Sequence, residues 1–548
     1  MVEKEKKTNV AANEESKKTN GSDAKNNGKR IGGRWGFIIG CVLIYLLAVG
    51  IIYSAIQLPG TIGKIADKSA ISKTKVVLYE GPKSLADATD EDLANVPENE
   101  RDITLKHCVD TVVKVNGQES YVYDTNVNNT HTWRTDYYPT QERTPITYFD
   151  FDGTVEITVQ VKNIDIEAVN IRPLSYDIKP EIDVKNHTVT FRIKKPDTYT
   201  VEFNNNVKRA VHIFANEIEE DVPDPDDKNV LYVGPGEWNI ENIVLQDGQT
   251  LYISGGAVIH GIVNANFATN VKVCGRGIID GSTFRGWKGR TARIPLKFDN
   301  CTNFTVEGVT VLNANAWGFQ AYDTIGGKID GLKMITARPN GDGISLQSCK
   351  SIKVENSFIR TWDDSLVVKN YDANSTTIRF KNIQIWTDLA QSMEIGYETN
   401  KGKKENSIIE DISFENITIL HNFHKPVLSI HNADDAAISD ISYKNIVVED
   451  ASMGQGDGTQ QLIDLKVLQS PTWSATQERG TIKNVTIDGF KVLYGNDFIP
   501  SAIEGYDEEH NIDGVTIKGL NIKGKDIKSF EDGGFSIDTL STANLEIK

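Results

Sequence analysis

With 548 residues, 25% of them charged and 39% apolar, the chain is long enough for two or three globular domains with a substantial core. Its formal charge of −17 argues against nucleic acid or an anionic lipid surface as partner of the folded part. Cys41, Cys108, Cys274, Cys301 and Cys349 show no metal-ligand spacing, so structural thiols are expected, with no metal and no cofactor.

Residues 1–34 hold nine Lys and Arg against five Asp and Glu. Their Lys, Asn, Glu, Ser and Gly content predicts a disordered tail. From Trp35 to Gln57 there is no charge; at ~1.5 Å per residue these positions reach ~34 Å, enough to cross a ~30 Å hydrocarbon layer. Lys25, Lys29, Arg30 and Arg34 flank the run, which predicts a cytoplasmic tail and export of everything that follows. The run is too long for a signal-peptide core and no convincing cleavage site follows it, so an uncleaved single-pass anchor in the cell membrane is expected. Residues 58–74 read as a linker.

Residues 75–225 alternate apolar and polar positions in short runs. Thr154-Val-Glu-Ile-Thr-Val-Gln-Val161, Thr188-Val-Thr-Phe-Arg-Ile193 and Tyr199-Thr-Val-Glu-Phe203 have period two, and Asp152-Gly153 and Asn204-Asn-Asn206 supply turns. This predicts an antiparallel β-sandwich, bounded by Pro223 and Pro225.

Residues 226–548 carry a repeat: a turn residue, two alternating apolar positions, an acidic or basic residue with Gly or Asn, then a second β run. It recurs at Asn270-Val-Lys-Val273, Asn303-Phe-Thr-Val306, Ser351-Ile-Lys-Val354, Thr377-Ile-Arg-Phe380, Asp411-Ile-Ser-Phe414, Asp440-Ile-Ser-Tyr443, Asn484-Val-Thr-Ile487 and Gly514-Val-Thr-Ile517, with a further copy at Lys328-Ile329. Strands this short cannot bury their inner faces alone, so stacked coils of a right-handed parallel β-helix are predicted. Extra loops are expected at 399–408 and 451–480.

Asn340-Gly-Asp342-Gly ends one coil and Trp362-Asp363-Asp364-Ser follows about one coil later. Stacking at ~4.8 Å per coil should bring Asp342 beside Asp363 and Asp364 on the outer surface, next to an exposed Trp362. Three carboxylates so close cannot all ionise normally, which leaves a proton donor beside ionised bases. Glycosidic-bond hydrolysis needs that combination. Trp317 and Tyr397 are candidate sugar-stacking platforms or core residues. His431 is either a substrate ligand or a hydrogen-bonded surface side chain, and Glu398 either a groove acid or a solvated rim charge. Trp287 lies in a loop able to wall a cleft.

The stretch Asn313-Ala-Asn-Ala-Trp317-Gly-Phe319, Asn340-Gly-Asp342-Gly-Ile344, Trp362-Asp363-Asp364-Ser-Leu-Val-Val-Lys369 and Met393-Glu-Ile-Gly396 resembles the polygalacturonase family, glycoside hydrolase family 28. It also resembles the related dextranase and isopullulanase family, glycoside hydrolase family 49, to which a sandwich before the β-helix is closer. The resemblance implies an inverting hydrolase of an α-linked polysaccharide. In it Asp363 is the general acid, Asp342 and Asp364 share the base role, and Lys369 contacts substrate; Asn340, Trp317, Tyr397, Gln391 and His431 are the further substrate-binding candidates. The family's Gly-His-Gly is replaced by Leu389-Ala-Gln391, and its Arg-Ile-Lys falls on Ser429-Ile-His431. Loss of those basic groups favours a neutral glucan or mixed heteropolysaccharide over polygalacturonate. A calcium-dependent lyase would need a basic residue facing the aspartates, for which Lys369 is the candidate; a non-catalytic glycan-binding surface protein is a third reading.

Overall fold

The computed structural model describes residues 74–87, 105–129, 142–162, 164–284, 292–452, 461–496 and 498–548. The expected tail, the apolar run 35–57, nearly all of the linker, and Trp287 lie outside the described residues. Among the described residues, no helix is long and apolar enough to cross a membrane.

The first described part is a pair of sheets. Seven strands, including Val122–Asn126, Arg143–Asp152, Asp197–Phe203 and Asn206–Asn216, form one; five, including Thr111–Val115, Val155–Val161 and Thr188–Ile193, form the other. In Val155–Val161 every second residue is buried, and Val155, Ile157 and Val159 pack with Phe149, Phe151, Val201 and Ile213 between the sheets. The sandwich is not wholly antiparallel as expected: Asn206–Asn216 runs parallel to Arg143–Asp152. Period-two alternation reports which face is buried and carries no information on strand direction. Arg143–Asp152 is buried on both faces. Ile146 and Tyr148 point away from the sandwich core into a second apolar cluster containing Ile278, Leu312, Ile335, Phe358 and Trp386.

Those last residues belong to a parallel β-helix that runs from Val230–Val233 to Thr542–Ile547. The final apolar position of every repeat lies in one column: Val273, Val306, Ile329, Val354, Phe380, Phe414, Tyr443, Ile487 and Ile517 are successive parallel partners. Phe380 and Phe414 stack at 4.7 Å, and Phe414 and Tyr443 at 4.9 Å. The turn residue opening each repeat has a left-handed backbone: Asn270, Asn303, Ser351, Thr377, Asp411, Asp440, Asn484 and Gly514 all have φ between 55° and 80°. The Gly or Asn further on does the same, and there the asparagine amides bond one another from coil to coil: Asn382 to Asn356 at 3.1 Å, Asn416 to Asn382 at 3.2 Å, Asn445 to Asn416 at 2.8 Å. Short amide side chains tolerate this conformation better than other L residues. Cys108, Cys274, Cys301 and Cys349 are buried free thiols.

Candidate active site

One face of the β-helix is built from Ile344–Gln347, Leu366–Lys369, Met393–Tyr397, Leu428–Asn432 and Ile463–Val467, paired in parallel in that order. Ile344, Leu346, Leu366, Val368, Met393 and Ile395 fill the core. The alternate positions Lys369, Glu394, Ser429, His431 and Asp464 therefore project outward. The corners leading into the first two strands carry the acids. Gly343 N donates to Asp364 O at 2.8 Å and Gly318 N to Asp342 O at 2.7 Å, so the corners bearing Trp317, Asp342 and the Asp363–Asp364 pair are successive steps of one ladder.

The stacking brings the three aspartates together, but not on an open surface. Asp342 is 3% exposed and Asp363 8%, and Asp364 is half-buried. Trp362 is fully buried, not exposed as expected. Asp363 accepts from Asn340 N at 3.1 Å and Asp364 N at 3.0 Å. Asp364 accepts from Gln391 N at 3.0 Å, so Gln391 reaches the cluster through its backbone. Lys369 Nζ lies 3.7 Å from Asp342 Oδ2, 3.3 Å from Glu398 Oε2 and 5.7 Å from the centre of the Trp317 ring. Glu398 is thus a buried ion-pair partner and not a solvated rim charge; Tyr371 Oη donates to it at 3.4 Å.

Burial raises the proton affinity of all three aspartates. The charge of Asp363 adds to it at Asp342, whose carboxyl sits well above the usual range despite Lys369. At Asp363 the rise is opposed by the Asp364 amide, Lys425, Lys369 and the Asn340 amide. Asp364 is pushed up to about 7 by burial and then by Asp363 and Glu394. Burial alone would raise Glu398, but Lys369 and Lys401 outweigh it and hold that carboxyl down. The cluster can therefore hold a carboxylic proton near neutral pH, beside carboxylates stabilised by amides and a lysine.

Glu394, not singled out in the sequence, joins this cluster from the next coil. It is fully buried, takes the Ser429 hydroxyl and lies 2.9 Å from His431 Nδ1, whose Nε2 is 3.0 Å from Asp464 Oδ2. His431 is consequently buried, 2% exposed, with both ring nitrogens engaged and Tyr397 stacked on it at 4.3 Å. Burial would lower its pKa, but Glu394 and Asp464 outweigh that and raise it to about 9. The outward phase of Met393-Glu-Ile-Gly396 was the available signal for Glu394. Lys425, whose charge reaches Asp363, stands on a corner with no motif of its own.

The fold is a parallel β-helix that carries a cluster of buried and half-buried carboxylates on one outer face. The chain superposes on Dex49A from Penicillium minioluteum with a TM-score of 0.52 at 15% identity, covering 82% of this chain and 95% of that one, a likeness of fold. It is 28% identical over 145 residues to a polygalacturonase of Brassica napus, 24% of this chain and 35% of that protein. It is 21% identical over 280 residues to an endo-polygalacturonase of Pectobacterium carotovorum subsp. carotovorum, 41% of this chain and 68% of that protein. The chain thus spans about a third of the first relative and about two thirds of the second. The Glycosyl hydrolases family 28 profile matches residues 256–532, half of the chain, and the chain belongs to that family.

Proposed function

We propose that this protein hydrolyses an α-linked polysaccharide with inversion, Asp363 protonating the leaving oxygen while Asp342 and Asp364 activate the attacking water. The observation carrying this reading is the cluster itself: three aspartates from two adjoining coils, their proton affinities raised together, with Lys369 3.7 Å from Asp342. An inverting mechanism needs one protonated carboxyl and one ionised one at the same pH. Lys369, tied to Asp342 and Glu398, holds its proton firmly because those charges outweigh its burial, which argues against its use as the base of a lyase.

The substrate is a neutral glucan or mixed heteropolysaccharide in preference to polygalacturonate. Ala390 and Ser429 are uncharged, and His431 is saturated between Glu394 and Asp464, so these three positions offer no free cation to a uronate carboxylate. Catalysis takes place outside the cytoplasm, following the charge asymmetry around residues 35–57.

The test is to incubate the full chain with dextran, pullulan and polygalacturonate and follow the released anomers by NMR. A β anomer released first from an α linkage is expected, with dextran or pullulan preferred. An α anomer released first refutes inversion, and a preference for polygalacturonate refutes the substrate assignment. Asp363→Asn should lower turnover at least ~10²-fold, as loss of a general acid does; undiminished turnover removes Asp363 from that role.

A further inference from the structure

The sandwich does more than dock on the β-helix. Its strand Val122–Asn126 leads into residues 127–129, and this segment bonds three successive coils in turn. Thr125 Oγ1 and Asn126 N both donate to Asn313 Oδ1, at 3.1 and 3.3 Å. Asn128 Nδ2 donates to Ala337 O at 3.1 Å. Asn129 Oδ1 accepts from Arg360 Nη2 at 2.9 Å. The three targets stand on consecutive coils, since Leu312 pairs with Ile335 and Ile335 with Arg360.

The spacing suits the task. Three residues of extended chain advance ~10 Å, and two coil steps at ~4.8 Å cover the same distance. Each target also opens a corner that carries part of the site: Asn313 precedes Trp317, Ala337 precedes Asp342, and Arg360 precedes Asp363 and Asp364. The corner with Asp342 is further held by Arg338, which donates to Phe284 O at 2.6 Å, and by the Gly341 N bond to Arg338 O at 2.9 Å. Asn128 and Asn313 are buried, so water does not replace a lost bond at no penalty.

We propose that residues 125–129 lace together the three corners that carry Trp317, Asp342 and the Asp363–Asp364 pair, and that Asn128, through Ala337 O, is a positioning residue for Asp342. The inference rests on the hydrolase reading above and assigns the sandwich a part in it. Displacing Asp342 by a fraction of an ångström changes its distance to the reacting water while leaving sugar-binding groups elsewhere in place. The defect therefore belongs in kcat.

The experiment compares the full chain with Asn128→Ala, Asn128→Asp and Gln384→Ala, on whichever of dextran, pullulan and polygalacturonate the unaltered chain cleaves fastest. Asn128→Asp keeps the shape and, when ionised, replaces the donor by a charge facing the Ala337 carbonyl, so it perturbs that bond more strongly than Asn128→Ala. Gln384 is the control: its amide makes the same kind of sandwich contact, 3.1 Å to Thr198 O, from the interior of the strand Ser375–Thr387. Both Asn128 variants should lose about 10–100-fold in kcat with KM within about threefold. Hydrogen exchange should quicken in 336–343. Gln384→Ala should lower Tm but keep kcat and leave exchange in 336–343 unchanged. Asn128 variants that fold, keep kcat and leave 336–343 protected overturn the proposal, and so does an equal loss of kcat in Gln384→Ala. If the unaltered chain cleaves none of the three polymers, the hydrolase reading falls, and exchange in 336–343 still decides whether the lacing holds.

Discussion

Replacing Asp364 by Asn should make the protein more stable at neutral pH and nearly inactive. The Asp364 carboxyl is raised from 3.8 to about 7 by burial, Asp363 and Glu394. A carboxyl whose folded pKa lies above its unfolded value binds its proton more tightly in the folded state, so ionisation penalises folding. The penalty is absent below about pH 4, grows through the interval and is constant above about pH 7. About three pH units at ~1.36 kcal/mol each set an upper bound of ~4 kcal/mol. Asparagine keeps an oxygen to accept from Gln391 N, bonded at 3.0 Å, and carries no charge. For 548 residues at about 2.1 cal/mol/K each, the unfolding entropy is ~1.1 kcal/mol/K. The bound then corresponds to a gain of about 4 °C in Tm for unfolding as one unit. Calorimetry of both proteins at pH 4 and pH 8 is the assay. A gain present at pH 8 and vanishing at pH 4 is expected; an equal change at both, or a loss at pH 8, refutes the electrostatic account of this cluster.

Lys369→Met should strand Asp342 and Glu398 without their buried cation, lowering stability by ~3–5 kcal/mol at neutral pH. Because the Glu398 pKa is held down, the contribution of that pair is present above about 4.5 and fades as pH falls through the lowered value. Thermal scans should show the gap to the unaltered protein closing in acid, and a gap independent of pH would count against it. At the sandwich interface Arg172 lies 2.8 Å from Glu202 and 2.9 Å from Glu449, with His421 also on Glu202. Glu202→Gln should cost about 3–5 kcal/mol. Burial would raise Glu202, but His421 and Arg172 outweigh it and lower its pKa; the Glu202 share is therefore lost as pH falls below about 4.5. Burial would lower His421, but Glu202 and Asp450 outweigh it and raise its pKa; its share is complete below about 6.5 and lost as pH rises through the raised value. The Tm difference should be widest between those limits, and a flat difference from pH 4 to 9 would refute the assignment.

The repeat was legible because its phase is set by backbone conformation. The residues that open each copy are those with positive φ, and the last apolar residue of each is a member of one column. The juxtaposition of Asp342 with Asp363 and Asp364 followed from that stacking. What stacking could not convey was depth: side chains that point outward from a β-helix are exposed only where nothing covers them. Here neighbouring corners and charges enclose them, so Trp362, Glu398 and His431 are buried where solvent contact was expected or allowed. Direction was equally hidden in the sandwich, where one strand pair is parallel. The outward phase of Met393-Glu-Ile-Gly396 marks Glu394 but not its partners, since Ser429 and His431 arrive from a coil 35 and 37 residues later.

The aspartates that face one another are held apart by the amide ladder between coils, not by the packing of flexible side chains. That spacing is a property of the helical stack, while the corners that carry the acids are tied in addition by residues 125–129. The distance between neighbouring corners is thus copied from the rung repeat, as the pitch of a screw sets the separation of its threads.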